Sequence, residues 1–354
     1  MAGPVVRGVG KAFFKLRAPR RASMVRREFG INLPVSGRSY AREEADVDFR
    51  VLREIALAAD RYGFTSIGVH DHLLNPQGSA PGGKEMPGRF GNGVVEAWTT
   101  LSSLATVTNR VRLTNVVLCN LFRYPAVLAK MASTLDLISE GRVTLALGAG
   151  WFRTECFAYG VPWKPYRTRL EMLRESVQLI KRFWTEDEVT FTGRHYRVEG
   201  GMLSPKPVQR PRPPIVIGGS SENAMRIAAD EADGWDVDTG PCSFETFQQR
   251  VAQLEAYCGE IGRDAGSIRI SVNATPILAD SVEEAGKLAA VWARRIGKEP
   301  AEYLANGSVL LGTTEDIVAG AEKWFEAGAD QVNFLMPHDA QSAQRLCEEI
   351  SRSL

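Results

Sequence analysis

The densest group of side chains that can move protons is His70-Asp71-His72, which directly follows a short apolar run. An imidazole has an ordinary pKa of about 6.5, so it can donate or accept a proton near neutral pH. A metal site is the alternative, but no third or fourth ligand is evident, since His195 and His338 lie far away in the sequence. We therefore expect no metal, and two interpretations stand. Either Asp71 orients His72 as an acid–base group, or Asp71 caps a loop and His72 only packs.

A second segment, Gly218-Gly219-Ser220-Ser221-Glu222-Asn223-Ala224, joins an apolar run to a predicted helix. Backbone N–H groups at the start of a helix bind anions, and glycine lets the chain approach a ligand closely. Phosphate is the usual ligand of such a site. The alternative is a helix that Ser221 caps without any ligand. Glu222 counts against phosphate, because its charge would repel the anion unless the side chain points away.

Two glycines leave another apolar run in Gly148-Ala149-Gly150-Trp151. The segment is not a dinucleotide fingerprint, because Arg153 occupies the position of the third glycine. It either lets a flat ring approach the backbone or forms a plain turn. Arg123, after a further apolar run, either pairs with an anion or holds its loop by a salt bridge.

These segments need a scaffold that brings the ends of several strands together. Eight short runs rich in Val, Ile and Leu alternate with amphipathic helical stretches, which is typical of strands buried on both faces. The predicted strands are Glu28–Leu33, Ser66–Val69, Arg112–Val117, Val143–Leu147, Pro214–Ile217, Gly234–Val237, Ile268–Pro276 and Gln331–Leu335. Eight β-α units predict a closed (β/α)8 TIM barrel rather than a doubly wound sheet, with the active site at the C-terminal ends of the strands.

The extra length falls in three predicted insertions, after strands 2, 4 and 7. They cover residues 73–95, 185–213 and 290–312, and the second contains a hairpin-like pair, Val189–Phe191 and His195–Val198. Long loops in a compact domain commonly line binding sites, so we expect the first and third to shape a substrate pocket.

Composition excludes several classes of protein. The 354 residues include 43 basic and 42 acidic side chains, which gives no general reason to expect a nucleic-acid partner. The sequence contains no run of 18 apolar residues, so it predicts no membrane-spanning helix. Five scattered cysteines without CxxC spacing argue against a disulfide framework and favour a reducing, cytoplasmic location.

Residues 1–27 carry eight basic side chains and no acidic one. They could form a transit peptide or an arm for an anionic surface. The preferred interpretation is that residues 1–23 are a disordered tail or a start-codon artefact. Residues 24–354 then form the barrel domain, because Met24 is soon followed by the first predicted strand.

Taken in order, several segments resemble the bacterial luciferase-like superfamily of flavin- and deazaflavin-dependent oxidoreductases. The segments that carry the resemblance are 63–72, 122–126, 139–142, 147–151, 203–207, 214–219 and 232–235. The resemblance implies a barrel that binds coenzyme F420 or FMN at its C-terminal mouth.

The resemblance also implies roles for individual residues. A strand-three bulge at Val116–Val117, often with a non-proline cis peptide, would back the ring, and Cys119 would contact the ring edge. Ala149, Gly150 and Thr154 would follow the cofactor's side chain. The phosphate would lie against Gly218, Gly219, Ser220, Ser221, Asn223 and Ala224. His72 and Asp71 match an Asp-His pair at the reactive face of the ring.

At two positions this sequence differs from one branch of the superfamily, which narrows the activity that the resemblance implies. The sugar-phosphate dehydrogenases of the superfamily have Trp where this chain has Pro76, and Glu where it has Trp151, so that activity is not expected. The predicted function is F420-dependent hydride transfer to or from a small organic substrate, with His72 exchanging the proton. One alternative is an FMN-dependent monooxygenase, supplied with reduced flavin by a separate reductase. The other is a non-catalytic flavin-binding barrel. The resemblance also implies a homodimer.

Overall fold

Eight parallel strands close into a barrel in the computed structural model, which describes residues 27–35, 47–74, 93–237, 243–295, 298–335 and 340–353. In chain order, the strands are β1 (Glu28–Asn32), β2 (Ser66–Val69), β3 (Arg112–Asn115), β4 (Leu118–Cys119), β5 (Val143–Gly148), β6 (Val189–Thr192), β7 (Arg197–Gly201), β8 (Ile215–Gly218), β9 (Gly234–Val237), β10 (Arg269–Leu278), β11 (Val309–Gly312) and β12 (Gln331–Leu335). The barrel runs β1-β2-β3-β5-β8-β9-β10-β12, and β12 pairs back with β1. The predicted (β/α)8 barrel is confirmed.

Helices surround the barrel and bury their apolar faces against it. They are α1 (Phe49–Arg61), α2 (Ala97–Ala105), α3 (Pro125–Ile138), α4 (Arg153–Ala158), α5 (Tyr166–Thr185), α6 (Glu222–Glu231), α7 (Phe244–Glu260), α8 (Val282–Arg295), α9 (Pro300–Leu304), α10 (Thr314–Glu326) and α11 (Ala340–Ser353). In α1, for example, Leu52, Ile55 and Ala59 are fully buried, and Asp48 caps the first turn. None of the helices in the described ranges is long and apolar enough to cross a lipid bilayer.

The inside of the barrel is polar. Asn32 donates to Asn273 (2.7 Å), Asn273 donates to Asp236 (2.9 Å), and the Ser271 hydroxyl donates to the other oxygen of Asp236 (2.6 Å). A cavity of about 510 Å³ is lined by the first residues of several strands, including Glu28. The barrel interior therefore opens into a cavity at its N-terminal end, and the apolar core lies between the strands and the helices.

Differences from the predicted elements are confined to ends and insertions. Strand β3 stops at Asn115 rather than Val117, and the chain pairs with β5 again only at β4. The second insertion contains the predicted hairpin, as antiparallel β6 and β7. In the third, α9 precedes β11, which extends the sheet beside β10. Most of the first insertion, residues 75–92, and the predicted tail lie outside the described residues.

Candidate active site

A glycine-lined platform lies at the C-terminal ends of β5 and β8. An added Cβ at Gly148 would approach Val117 Cγ2 to 2.7 Å, and one at Gly218 would approach the same methyl to 2.6 Å. The Val117 side chain therefore packs directly against the backbone at Gly148 and Gly218, where it leaves no room for a side chain. The peptide between Val116 and Val117 is cis, as predicted, and both residues are half-buried.

Cys119 lies at the edge of this platform, opposite Gly148 in the sheet register. Its thiol hydrogen-bonds the Cys156 thiol, and this contact together with burial raises the pKa of Cys119. Gly150 has φ +79°, and a Cβ there would approach the Cys119 Sγ to 2.7 Å. Cys119 is thus a buried, neutral thiol next to a position that favours glycine.

The imidazole of His72 is held by a carboxylate that the sequence did not suggest. Both oxygens of Glu155, in α4, lie 3.2 Å from His72 Nδ1, and Glu155 Oε2 also accepts from the Leu73 N–H at 3.0 Å. Glu155 is only 2% exposed. The ring of His72 meets the edges of Trp151 and Phe152, with centroids 5.5 and 6.3 Å away. The imidazole of His72 therefore packs against the aromatic rings of Trp151 and Phe152, and Glu155 orients it.

Asp71 has other partners, so the predicted orientation of His72 by Asp71 is wrong. The Arg123 guanidinium donates to both Asp71 oxygens at 2.8 and 2.9 Å, and the Cys119 N–H donates to Oδ2 at 2.9 Å. Arg123 also donates to Glu96 at 2.5 Å. Burial acts to lower the pKa of Arg123, but its bonds to Asp71 and Glu96 outweigh burial and raise it. Of the two interpretations of Arg123, the geometry supports the salt bridge.

His70 is the second imidazole at the end of β2. Burial lowers the pKa of His70 to about 4, His72 adds to this effect, and a hydrogen bond to the Val116 backbone opposes it. The His70 ring is therefore neutral at physiological pH. It supports the bulge behind the platform and does not act as an acid.

The segment predicted to bind phosphate, which we call the cradle, lies at the start of α6. Ser221 Oγ accepts from the Ala224 N–H at 3.2 Å, and the Tyr166 hydroxyl lies 2.7 Å from the same oxygen. The other N–H groups of the first turn have no carbonyl partner within the helix. Glu222 pairs with Arg226 one turn on, at 3.0 Å, so its carboxylate is engaged along the helix. The expected repulsion of an anion by Glu222 is reduced accordingly.

Gly219 connects the cradle to the platform. Its φ of +129° is a conformation that side chains rarely adopt. Its N–H donates to the Asp236 carbonyl at 3.1 Å, and its own carbonyl accepts from Trp235 Nε1 at 2.7 Å. The backbone is thus fixed on both sides at the point where the platform at Gly218 turns into α6.

The predicted cofactor residues follow the C-terminal ends of β3, β5 and β8. Ala149 leaves β5, and Thr154 lies in the first turn of α4; both are half-buried. Ser220 and Ser221 are half-buried, Asn223 is exposed, and Ala224 is buried. Gly148 and Gly218 leave room for the Val117 side chain, and α6 begins shortly after Gly218.

Comparison with known proteins places the chain in a family. The sequence profile described as luciferase-like monooxygenase matches residues 27–338. The chain belongs to the luciferase-like monooxygenase family.

Individual members of the luciferase-like family match parts of the chain. It is 33% identical over 190 residues to an FMNH2-dependent dimethylsulfone monooxygenase of Pseudomonas putida, covering 54% of this chain and 51% of that enzyme. The match therefore spans about half the length of that relative. It is 31% identical over 223 residues to an F420-dependent glucose-6-phosphate dehydrogenase of Segniliparus rotundus, covering 62% of each.

Solved structures share the luciferase-like fold. An F420-dependent secondary alcohol dehydrogenase superimposes with a TM-score of 0.74 at 19% identity, covering 92% of this chain and 98% of that one. A long-chain alkane monooxygenase superimposes with a TM-score of 0.75 at 14% identity, covering 93% and 90%. At these identities the likeness supports the fold alone.

Proposed function

We propose that this luciferase-like protein is an oxidoreductase that holds coenzyme F420 at the platform and cradle, and that it transfers hydride to or from a small organic substrate. The observation that carries the proposal is the continuity of three features: the Val117 platform, the α6 cradle, and an imidazole with a carboxylate partner beside them. The match to an F420-dependent relative supports the choice of cofactor.

Each group of residues has a distinct task in this proposal. The first turn of α6, with Ser220, Ser221 and Asn223, holds the phosphate, and the backbones of Ala149 and Gly150 follow the cofactor's side chain. Val116, Val117 and Cys119 support the ring from behind and at its edge, and Thr154 follows the cofactor's side chain together with Ala149 and Gly150. Trp151 and Phe152, stacked with centroids 5.3 Å apart, keep water from the substrate.

His72 moves the proton. When bound, the cofactor supplies or accepts the hydride, and a substrate oxygen that gains or loses hydride must gain or lose a proton as well. His72 exchanges that proton through the ring nitrogen that faces away from Glu155. Asp71 acts indirectly, because its bonds to Arg123 and Cys119 hold the platform edge in place.

An FMN-dependent monooxygenase is the second candidate. It is favoured by the match to the FMNH2-dependent dimethylsulfone monooxygenase, and it would require a separate reductase as partner. The same cradle would bind the FMN phosphate. The two candidates differ in what the cofactor can do, because F420 does not activate oxygen as reduced flavin does.

Spectroscopic titration of the purified protein with F420 and FMN, in both oxidised and reduced forms, tests the proposal. We expect micromolar binding of F420 and weaker binding of FMN. The reverse order, with oxygen consumption on addition of reduced FMN, would replace the first candidate by the second. Binding of neither cofactor would refute both candidates.

Substitution of His72 separates an enzyme from a binding barrel. In H72A, turnover should fall about 100-fold or more while cofactor affinity is kept. The matched control is H195A, because His195 lies in the β6–β7 hairpin and pairs with Glu171. Unchanged turnover in H72A would remove His72 from the mechanism.

The proposal also includes a cytoplasmic homodimer. Among the described residues, Cys119, Cys156 and Cys347 are buried thiols outside any disulfide, as in a reducing compartment. An apolar surface on α3 supports a second copy as partner. Val127, Leu137 and Ile138 there are 56%, 50% and 46% exposed.

A further inference from the structure

Glu155 is a buried acid whose oxygens contact a backbone hydrogen-bond donor, the Leu73 N–H, and a ring nitrogen, His72 Nδ1. The side chain is 3% exposed, and it meets His72 Nδ1 on one side and the Leu73 N–H on the other. A buried carboxylate is costly unless such donors surround it. The arrangement therefore requires that the nitrogen facing Glu155 carries a hydrogen.

This requirement fixes the tautomer of His72. A carboxylate can only accept hydrogen bonds, whereas a neutral imidazole has one donor nitrogen and one acceptor nitrogen. With the hydrogen on Nδ1, the lone pair lies on Nε2. The Leu73 N–H binds the same carboxylate, so the chain directly after His72 is held to α4 as well.

We propose that Glu155 is a positioning residue that sets the Nδ1–H tautomer of His72 and presents its Nε2 to the substrate. The inference rests on the proposed function in one respect: the proposed function has His72 exchange a proton with the substrate. Glu155 touches neither substrate nor cofactor in this role. The carboxylate also stabilises the imidazolium that forms when Nε2 takes up a proton.

A purely structural role would be different. Glu155 could merely tie the end of β2 to α4, in which case any polar side chain of the same shape would do. The E155Q substitution would keep the shape, and the amide carbonyl could still accept from the Leu73 N–H. The amide NH2 group, however, can donate to an unprotonated Nδ1, which permits the opposite tautomer. The tautomer of His72 therefore separates the two roles.

The experiment is a long-range ¹H–¹⁵N NMR correlation spectrum of the histidines at about pH 9, where free imidazole is neutral. It is recorded without cofactor on the wild type, E155Q and E155D, with H72A to assign the signal. We expect the Nδ1–H tautomer of His72 in the wild type, retention in E155D, and loss of the preference in E155Q.

The matched control is E171Q. Glu171 lies 3.2 Å from Nε2 of His195, which makes it the second Glu–His contact among the described residues. E171Q should alter the His195 signals and leave those of His72 unchanged. In turnover, E155Q should lower kcat about 100-fold with little change in KM, E155D should recover part of the loss, and E171Q should match the wild type.

An Nε2–H tautomer in the wild type, or an unchanged Nδ1–H tautomer in E155Q, would overturn the inference whatever the enzyme does. If E155Q does not fold, the wild-type and E155D spectra still decide. If E155Q changes the tautomer but H72A turns over normally, the proposed role of His72 fails, while Glu155 remains the residue that sets its tautomer.

Discussion

At the scale of single residues, the end of β2 shows three neighbours with three different partners. His70 supports the bulge, Asp71 binds Arg123, and His72 binds Glu155. A row of residues that looks like one chemical unit in the sequence is therefore divided among three contacts. Of these three side chains, His72 is the one that we propose for proton exchange at the mouth.

His70 predicts an acid-sensitive term in stability. Its pKa is lowered from 6.5 to about 4 by burial, so between those values the unfolded chain binds a proton that the folded chain does not. Protons then favour unfolding, and the free energy of unfolding falls as pH decreases from 7 to 4. We expect this term to be about 3 kcal/mol. Urea unfolding at both pH values should show a smaller decrease for H70N, and equal decreases in the two proteins would contradict the prediction.

Arg123 predicts a large loss of stability when its charge is removed. The Asp71 side chain is 1% exposed, so R123M would leave a buried carboxylate without its cation. We expect a loss of about 3–5 kcal/mol in the free energy of unfolding. The control is R167M, because Arg167 makes only an exposed pair with Glu171 and should change stability by less than about 1 kcal/mol. Similar losses of unfolding free energy in the two variants would show that the Arg123–Asp71 salt bridge does not stabilise the fold.

The site was partly predictable from residue types. Ser221 was recognisable as a cap because it precedes an apolar helical pattern, and the resemblance located the Val116–Val117 peptide. Glu155 was not recognisable, since an acidic residue in a six-residue helix gives no periodic signal and His72 lies 83 residues away. The pairing of Asp71 with Arg123 instead of His72 also depends on tertiary packing alone.

At the scale of elements, strands were predicted closely because both faces are buried and their apolar runs are continuous. Predicted and observed bounds agree within about two residues at every barrel strand. One difference is more than a shifted strand end: the strand bulges after Asn115. A run of Val and Leu residues does not reveal where the hydrogen bonds between strands are interrupted. Hairpin β6–β7 was visible through its alternating pattern.

The platform predicts that Gly218 tolerates no side chain. In G218A the new Cβ would lie 2.6 Å from Val117 Cγ2, so Val117 must move. We expect a loss of about 1–3 kcal/mol in stability and cofactor binding at least about tenfold weaker.

G259A is the matched control for G218A. Gly259 lies in α7 with no atom within 4 Å of its would-be Cβ, so alanine should raise stability by up to about 1 kcal/mol. Unchanged cofactor affinity in G218A would mean that the ring does not rest on this platform.

At the scale of the whole molecule, the exposed face of α3 predicts a dimer. Leu137 and Ile138 are about half exposed, which is unfavourable for a surface that stays in water. L137E/I138E should shift the wild-type dimer to monomer in light scattering and leave the unfolding of the monomer cooperative. A monomeric wild type would contradict the proposal.

A second whole-molecule prediction concerns the start of the chain. Residues 1–23 contain six basic residues and precede the barrel. A chain that begins at Met24 should keep the wild-type unfolding free energy and cofactor affinity. A loss of either would show that the segment belongs to the domain.

The stretch from Gly148 to Cys156 gathers features that belong to different tasks. It contains the glycine backbone that packs against Val117, the stacked pair Trp151 and Phe152, the partner of His72 and the thiol partner of Cys119. Under the proposed function, nine consecutive codons therefore encode cofactor fit and proton exchange together. Recombination among homologous genes would inherit both as one unit, while changes in the remaining loops could diversify substrate choice without disturbing either.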